Sequence, residues 1–156
     1  MSDTWRRDHL PELVRSLATR PGHENTRVMV ADILRNAFGA AYLAIDQEVR
    51  MPEVRGRADT LFGATILEFK SDLRREIDDV LSRLPDYLSV RERQTNRRFI
   101  GIATDGASFV AYERRNTALF EISRHTTDPA KPEALLAWLE PALSDRDDLA
   151  PEPLTI

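Results

Sequence analysis

Apolar residues recur at helical spacing in the N-terminal part of the chain, in two stripes separated by Pro21-Gly22. The first stripe predicts a helix, and the second predicts another that begins near His23 or Glu24 and ends at Gly39. The stripes consist of Trp5, Leu10, Leu13, Val14 and Leu17, followed by Val28, Val30, Ile33, Leu34 and Phe38.

The pattern then changes to alternating or continuous apolar runs of strand length. Strands are predicted over residues 44–51, 57–61 and 64–70. The last two are joined at Gly63-Ala64, a pair that suits a two-residue type II′ turn. A long helix capped by Ser71 or Asp72 should follow, and Pro85 should kink or split it.

The C-terminal half is predicted to contain strands over residues 98–104, 107–112 and 117–122 and a last helix over 132–143. Asp105-Gly106 is a strong hairpin signal between the first two of these strands. The order ααβββαβββα predicts an α/β (α+β) fold with a mixed sheet flanked by helices. We therefore expect one domain over residues 1–143 and an acidic, proline-containing tail or linker over 144–156.

Composition is consistent with a globular protein: 156 residues, 42% apolar and 31% charged, with no cysteine. The missing cysteines exclude disulfides and thiolate zinc sites. No apolar run approaches the roughly 20 residues that span a membrane, and the N-terminus is too polar for a signal peptide. We expect a cytoplasmic protein with no membrane partner. The net charge of −4 does not indicate nucleic-acid binding, although arginines cluster locally.

Lys70 is one of only two lysines in the chain, because the other 20 of the 22 cationic side chains are arginines. It stands two residues after Glu68 in a predicted buried strand. Lysine is a compact charge whose pKa shifts when it is buried, whereas arginine stays charged. This strand is therefore where we look for chemistry.

A two-residue turn at Gly63-Ala64 would place Asp59 directly opposite Glu68, with their Cβ atoms about 5 Å apart. Strand periodicity puts Lys70 on the same face as Glu68. Two facing carboxylates require either that one of them holds a proton or that a cation sits between them, and oxygen ligands favour Mg²⁺, with Mn²⁺ as a substitute. Lys70 could then hold or deprotonate an attacking water, or stabilise charge on a phosphate.

The alternative is an edge hairpin whose charges face water, with Lys70 simply neutralising Glu68. The apolar character of residues 65–70 weighs against it, since charges in apolar strands are rarely without a partner. The arginine clusters have an equally plain alternative as solvated surface charge.

Asp59, eight residues, and then Glu68-Phe69-Lys70, on a hairpin between two helices, resemble the PD-(D/E)xK nuclease superfamily. The resemblance covers roughly Pro21 to Tyr112. It is strongest to the nuclease domains at the N-termini of restriction enzymes fused to adenine methyltransferases, and to Type I-like restriction subunits. The matching positions beyond the hairpin are Leu84, Tyr87 and Leu88 in the following helix and Thr104-Asp105-Gly106 in the later turn.

The resemblance implies a restriction-endonuclease-like core and a Mg²⁺-dependent endonuclease that hydrolyses DNA in restriction-modification or phage defence. It implies catalytic roles for Asp59, Glu68, Lys70 and Glu24, with the three carboxylates as metal ligands. DNA contacts are expected from Arg57, Arg74, Arg83 and Tyr87. The partners implied are DNA and a methyltransferase or specificity domain in the same or a longer polypeptide, and the resemblance leaves room for a homodimer.

Two positions depart from the family pattern: Ala58 replaces a frequent proline, and Arg83 replaces the usual glutamine. Arg83 could still meet DNA, or it could mark altered or lost cleavage. A catalytically weak or inactive DNA-binding or scaffolding module on the same fold is therefore the first alternative function. An unrelated interaction domain with a decorative charged hairpin is the second.

Overall fold

The computed structural model describes residues 3–38, 46–47, 60–62 and 64–143. Within these ranges a π-helical segment, Trp5–His9, leads directly into the first α-helix. The four α-helices are α1 (Leu10–Leu17), α2 (His23–Phe38), α3 (Leu73–Thr95) and α4 (Glu133–Leu143). All four predicted helices are confirmed. None of the helices in the described ranges combines the length and apolar character that crossing a bilayer would require.

The described strands form a single mixed sheet in the order β1-β2-β3-β4-β5-β6. Neighbouring strands are antiparallel except for β3 and β4, which run parallel and are connected by α3. The strands are β1 (Asp46–Gln47), β2 (Thr60–Phe62), β3 (Thr65–Phe69), β4 (Ile100–Thr104), β5 (Ser108–Arg115) and β6 (Ala118–Thr126). The predicted mixed α/β architecture is confirmed.

Each face of the sheet buries its own apolar cluster. Alternation along β3 sends Leu67 and Phe69 to the cluster that contains the buried side chains of α1, α2 and α4. Ile66 belongs to the opposite cluster, which contains the buried side chains of α3. Burying one such side chain contributes about 1.5–3 kcal/mol, so the two clusters hold the helices against the sheet.

A close approach at Gly101 positions α3 over the sheet. A Cβ atom on Gly101 would lie 2.7 Å from both terminal carbons of Leu84, so glycine leaves room for this fully buried side chain. The start of α3 is set by Asp72, whose carboxylate accepts a hydrogen bond from the Arg74 N–H at 3.0 Å. That cap is one of the two that the sequence predicted.

Of the kink or split predicted for α3 at Pro85, the split is wrong, because the helix continues from Leu73 to Thr95 through this residue. Proline removes the N–H that would bond to the carbonyl of Leu81, but Leu81 is exposed, so water can satisfy that carbonyl. Leu84 and Tyr87, both buried against the sheet, hold the helix on either side of Pro85.

The last strands are longer than predicted, since β5 extends to Arg115 and β6 to Thr126. Much of the predicted strand over 44–51, part of that over 57–61, and the predicted tail over 144–156 lie outside the described residues.

Candidate active site

The hairpin register agrees with the sequence-based prediction. Thr60 pairs with Leu67, Leu61 with Ile66 and Phe62 with Thr65. Continuing this register by one position would pair Asp59 with Glu68. Asp59 lies outside the described residues, so the facing pair of carboxylates stays a prediction.

Glu68 lies on an interior strand of the sheet, because β3 has β2 on one side and β4 on the other. The residue is only 4% exposed, and its carboxylate lies 3.4 Å from the Lys70 Nζ, whose side chain is 14% exposed. The expected shared face of these two residues is confirmed. The alternative of an edge hairpin whose charges face water is wrong for Glu68 and Lys70, since both are largely removed from solvent.

The main partner of Lys70 is Asp79 of α3, a residue that the sequence analysis did not select. The Lys70 ammonium group donates a hydrogen bond to one oxygen of Asp79, and the Arg83 guanidinium lies 3.1 Å from the other. Asp79, Arg83 and Tyr87 follow one another at intervals of four along α3, so they share a helix face. The Asp79–Arg83 pair could have been read from that spacing, but the contact with Lys70 depends on how α3 packs.

The charges in this cluster stabilise one another. Burial opposes the charge on Lys70, but the hydrogen bond to Asp79 and the negative charges of Glu68 and Asp79 outweigh it and raise the pKa of Lys70 above 10.5. The same hydrogen bond, together with the charges of Lys70 and Arg83, lowers the pKa of Asp79 despite partial burial. Lys70 is therefore a cation at neutral pH, suited to holding an anion or a water molecule rather than to removing a proton.

Glu24 lies in the first turn of α2. Its carboxylate accepts hydrogen bonds from the Arg27 guanidinium at 2.5 and 2.6 Å and lies 3.8 Å from the His23 ring nitrogen, so both of these neighbours belong to α2 itself. The buried residues of α2 pack on the sheet face opposite to the one that Glu68 occupies. The described contacts thus do not join Glu24 to Lys70, and its role as a metal ligand stays a prediction.

The four predicted DNA contacts have different surroundings. Arg74 has a 68% exposed side chain and binds Asp72 through two nitrogens, at 2.8 and 3.0 Å. Arg83 has a 53% exposed side chain, whereas Tyr87 is 1% exposed. Tyr87 therefore offers little surface to DNA and instead belongs to the apolar cluster between α3 and the sheet. Arg57 lies outside the described residues.

Asp105 does more than form the predicted turn. Its carboxylate is fully buried and accepts hydrogen bonds from the N–H groups of Ala107 and Ser108 at 3.0 and 2.9 Å, as a turn aspartate does. It also accepts from the Leu73 N–H at 2.9 Å and the Arg20 guanidinium at 2.8 Å. Asp105 therefore links the α1–α2 connection, the start of α3 and the β4–β5 turn.

The described side chains alone do not complete a metal site, because no group of three or more histidine, aspartate or glutamate side chains among them is placed to hold a metal ion. Glu68 nevertheless supplies the kind of ligand that Mg²⁺ prefers, a carboxylate oxygen. Its buried position next to a lysine is consistent with the predicted site, in which Asp59 would supply the second carboxylate.

No protein-family model, curated protein or solved structure matches the chain. Its function is therefore inferred from the residues of the site and their geometry.

Proposed function

We propose that the chain is a metal-dependent endonuclease domain with a restriction-endonuclease-like core, which hydrolyses DNA phosphodiester bonds in restriction-modification or phage defence. The observation that carries the proposal is the buried pair of Glu68 and Lys70 at the end of β3, with Asp59 one position beyond the observed pairing of β2 with β3. Charged groups are rarely buried in a sheet without a partner or a task.

In this proposal Glu68 and Asp59 hold Mg²⁺, with Glu24 as a further candidate ligand. A bound Mg²⁺ ion would supply Lewis-acid activation of a phosphate oxygen and of the attacking water. Lys70 orients that water and stabilises the negative charge that develops on the phosphate. Arg83 and Arg74 bind neighbouring backbone phosphates through their exposed guanidinium groups.

The test is a plasmid-nicking assay with Mg²⁺, in which Lys70→Ala and Asp59→Ala are compared with the wild type. Each variant should lose at least about 100-fold in rate, as removal of a group that stabilises transition-state charge does. The other lysine offers a matched control, since Lys131 is exposed and Lys131→Ala should cut normally. Undiminished Mg²⁺-dependent cleavage by a folded Asp59→Ala protein would refute the assignment.

A second candidate function is a DNA-binding or scaffolding module on the same fold with little or no cleavage. The observation that favours it is the engagement of Lys70 by Asp79, together with Arg83 at the position where the family usually has glutamine. This candidate predicts that calorimetry detects no Mn²⁺ or Mg²⁺ binding and that Asp59→Ala leaves DNA affinity unchanged. In either case DNA is the partner, and a methyltransferase or specificity domain in a longer polypeptide would supply sequence choice.

A further inference from the structure

Asp79 holds two cations at once, one on each carboxylate oxygen. One oxygen accepts a hydrogen bond from the Lys70 ammonium group, and the other lies 3.1 Å from the Arg83 Nε. A phosphate group that spanned the same two cations would present two oxygens in the same way. The carboxylate thus occupies a position that is built to receive an oxyanion.

The exposure of these side chains makes the position accessible from solvent. Arg83 is 53% exposed and Asp79 is 41% exposed, whereas Lys70 beneath them is 14% exposed. An anion that arrived from outside would therefore meet Arg83 and Asp79 before it reached Lys70. Asp79 can rotate away into water without opening the apolar core, because much of its side chain already faces solvent.

The charge balance gives Asp79 a definite effect on anion binding. Glu68 and Asp79 neutralise Lys70 and Arg83, so the four side chains carry no net charge as a group. An incoming phosphate must then compete with a carboxylate for the same two cations. Without the Asp79 charge, the group would carry one net positive charge and attract the phosphate.

We propose that Asp79 is an internal substitute for a DNA backbone phosphate, which holds Lys70 and Arg83 until the phosphate displaces it. The inference rests on the proposed function for the identity of the anion. It makes Asp79 a regulatory contact that weakens binding of DNA and keeps Lys70 in place while the site is empty of substrate.

The test compares Asp79→Asn with Asp78→Asn, because the two residues are neighbours on α3 and each change removes one negative charge. Binding of a short fluorescent DNA duplex is measured by anisotropy in EDTA, so that cleavage does not interfere. Asp79→Asn should tighten binding by about threefold to tenfold, as expected for the loss of a competing ion pair. Asp78 is exposed and points about 100° around the helix axis from Asp79, so Asp78→Asn should change it by less than about twofold.

A second variant tests whether the gain passes through the proposed pair of cations. Adding Arg83→Gln to Asp79→Asn should cancel most of the gain. The salt dependence offers a further readout, because log K against log salt should become steeper by about one unit when another phosphate contact forms. If Asp79→Asn binds DNA no better than Asp78→Asn, or more weakly, Asp79 only positions Lys70 and the inference is wrong.

Inorganic phosphate, titrated against the same variants by NMR, separates this inference from the proposed nuclease function. If the wild type cuts no DNA but Asp79→Asn binds phosphate more tightly than Asp78→Asn, the anion site is supported and the nuclease function is refuted. A wild-type protein that cuts DNA while neither probe distinguishes Asp79→Asn from Asp78→Asn would refute the inference alone. Binding of neither probe by any variant would also overturn it.

Discussion

Two carboxylates are buried at the same end of the neighbouring parallel strands β3 and β4, and they differ in what surrounds them. Asp105, just after β4, accepts three hydrogen bonds from backbone N–H groups and one from Arg20. Glu68, near the end of β3, lies beside the Lys70 ammonium group, which in turn is held by Asp79. The first carboxylate has partners fixed mainly by the backbone, and the second has partners on movable side chains.

The difference indicates which buried charge is structural and which can do chemistry. Backbone donors cannot leave Asp105 without local unfolding, so its oxygens are not available to a ligand. The charged side chains near Glu68 can exchange partners, because Asp79 and Arg83 are each about half exposed. A candidate active site is expected where buried charge meets replaceable neighbours.

The largest expected effect is a difference in stability between Asp105→Asn and Glu68→Gln, each of which replaces a carboxylate with a neutral amide. Asp105→Asn should destabilise the fold by about 3–5 kcal/mol, because an amide group would face N–H donors that an oxygen now satisfies. Glu68→Gln should change stability by about 1 kcal/mol or less, since Lys70 keeps Asp79 as a partner. Urea unfolding measures both, and equal losses would contradict the comparison.

The next largest effect on stability is expected at Gly106, in the β4–β5 turn whose backbone N–H groups bind Asp105. Gly106 has a φ of +92°, and an added Cβ would lie 2.6 Å from the Leu17 carbonyl oxygen, so Gly106→Ala should cost about 3 kcal/mol from strain and overpacking. Gly22 is the matched control, with a φ of +105° and no atom within 4 Å of an added Cβ. Gly22→Ala should therefore cost only about 1 kcal/mol of conformational strain. Thermal unfolding that shows the same loss for both would count against the predicted clash.

Arg20, which binds Asp105, and Arg83, which binds Asp79, should also differ in how much they stabilise the protein. Arg20→Ala should destabilise the protein by about 2 kcal/mol, because it removes a charged hydrogen bond from a fully buried carboxylate. Arg83→Ala should cost less than about 0.5 kcal/mol, since its ion pair with Asp79 is exposed. It should weaken DNA binding instead, so unfolding and anisotropy measurements on the same pair of variants provide the check.

The smallest expected effect on stability is at Asp72, the residue that caps α3. Hydrogen bonds from the Arg74 side chain and backbone lower the pKa of Asp72 from 3.8 to about 2, despite some desolvation. Because the folded-state pKa is depressed, the stabilisation is present above about pH 4 and is lost as the pH falls towards 2. Asp72→Asn keeps a good helix cap but lacks the charge, so its stability deficit should shrink over this interval. A constant deficit from pH 5 to pH 2 in urea unfolding would refute this origin.

Local patterns were enough to predict the helices and strands of the described residues and the hairpin register. A two-residue turn leaves only one pairing for the adjoining strands, which explains why Thr60 meets Leu67 as expected. Period-two alternation was enough to place Glu68 and Lys70 on one face. The split of α3 at Pro85 was predicted incorrectly, because local propensity cannot weigh the burial that holds a helix together on both sides of a proline.

Contacts between distant parts of the chain could not be predicted in the same way. Arg20 and Asp105 are separated by 85 positions, and nothing in either local sequence announces that they meet. Asp79 was missed for a similar reason, since its i,i+4 spacing to Arg83 is common on helix surfaces. Its contact with Lys70 arises only because α3 packs across the face of β3 that carries Glu68.

The sequence by itself determined the alternation of apolar and polar positions, and with it the helices, the strands and the shared face of Glu68 and Lys70. These properties are local, because a backbone repeat decides which side chains share a face. Only the tertiary structure decided the partners of the buried charges. The packing of α3 against the sheet brought Asp79 to Lys70 and the Leu73 N–H to Asp105. A buried charge is stabilised by the groups that the fold places within hydrogen-bonding distance.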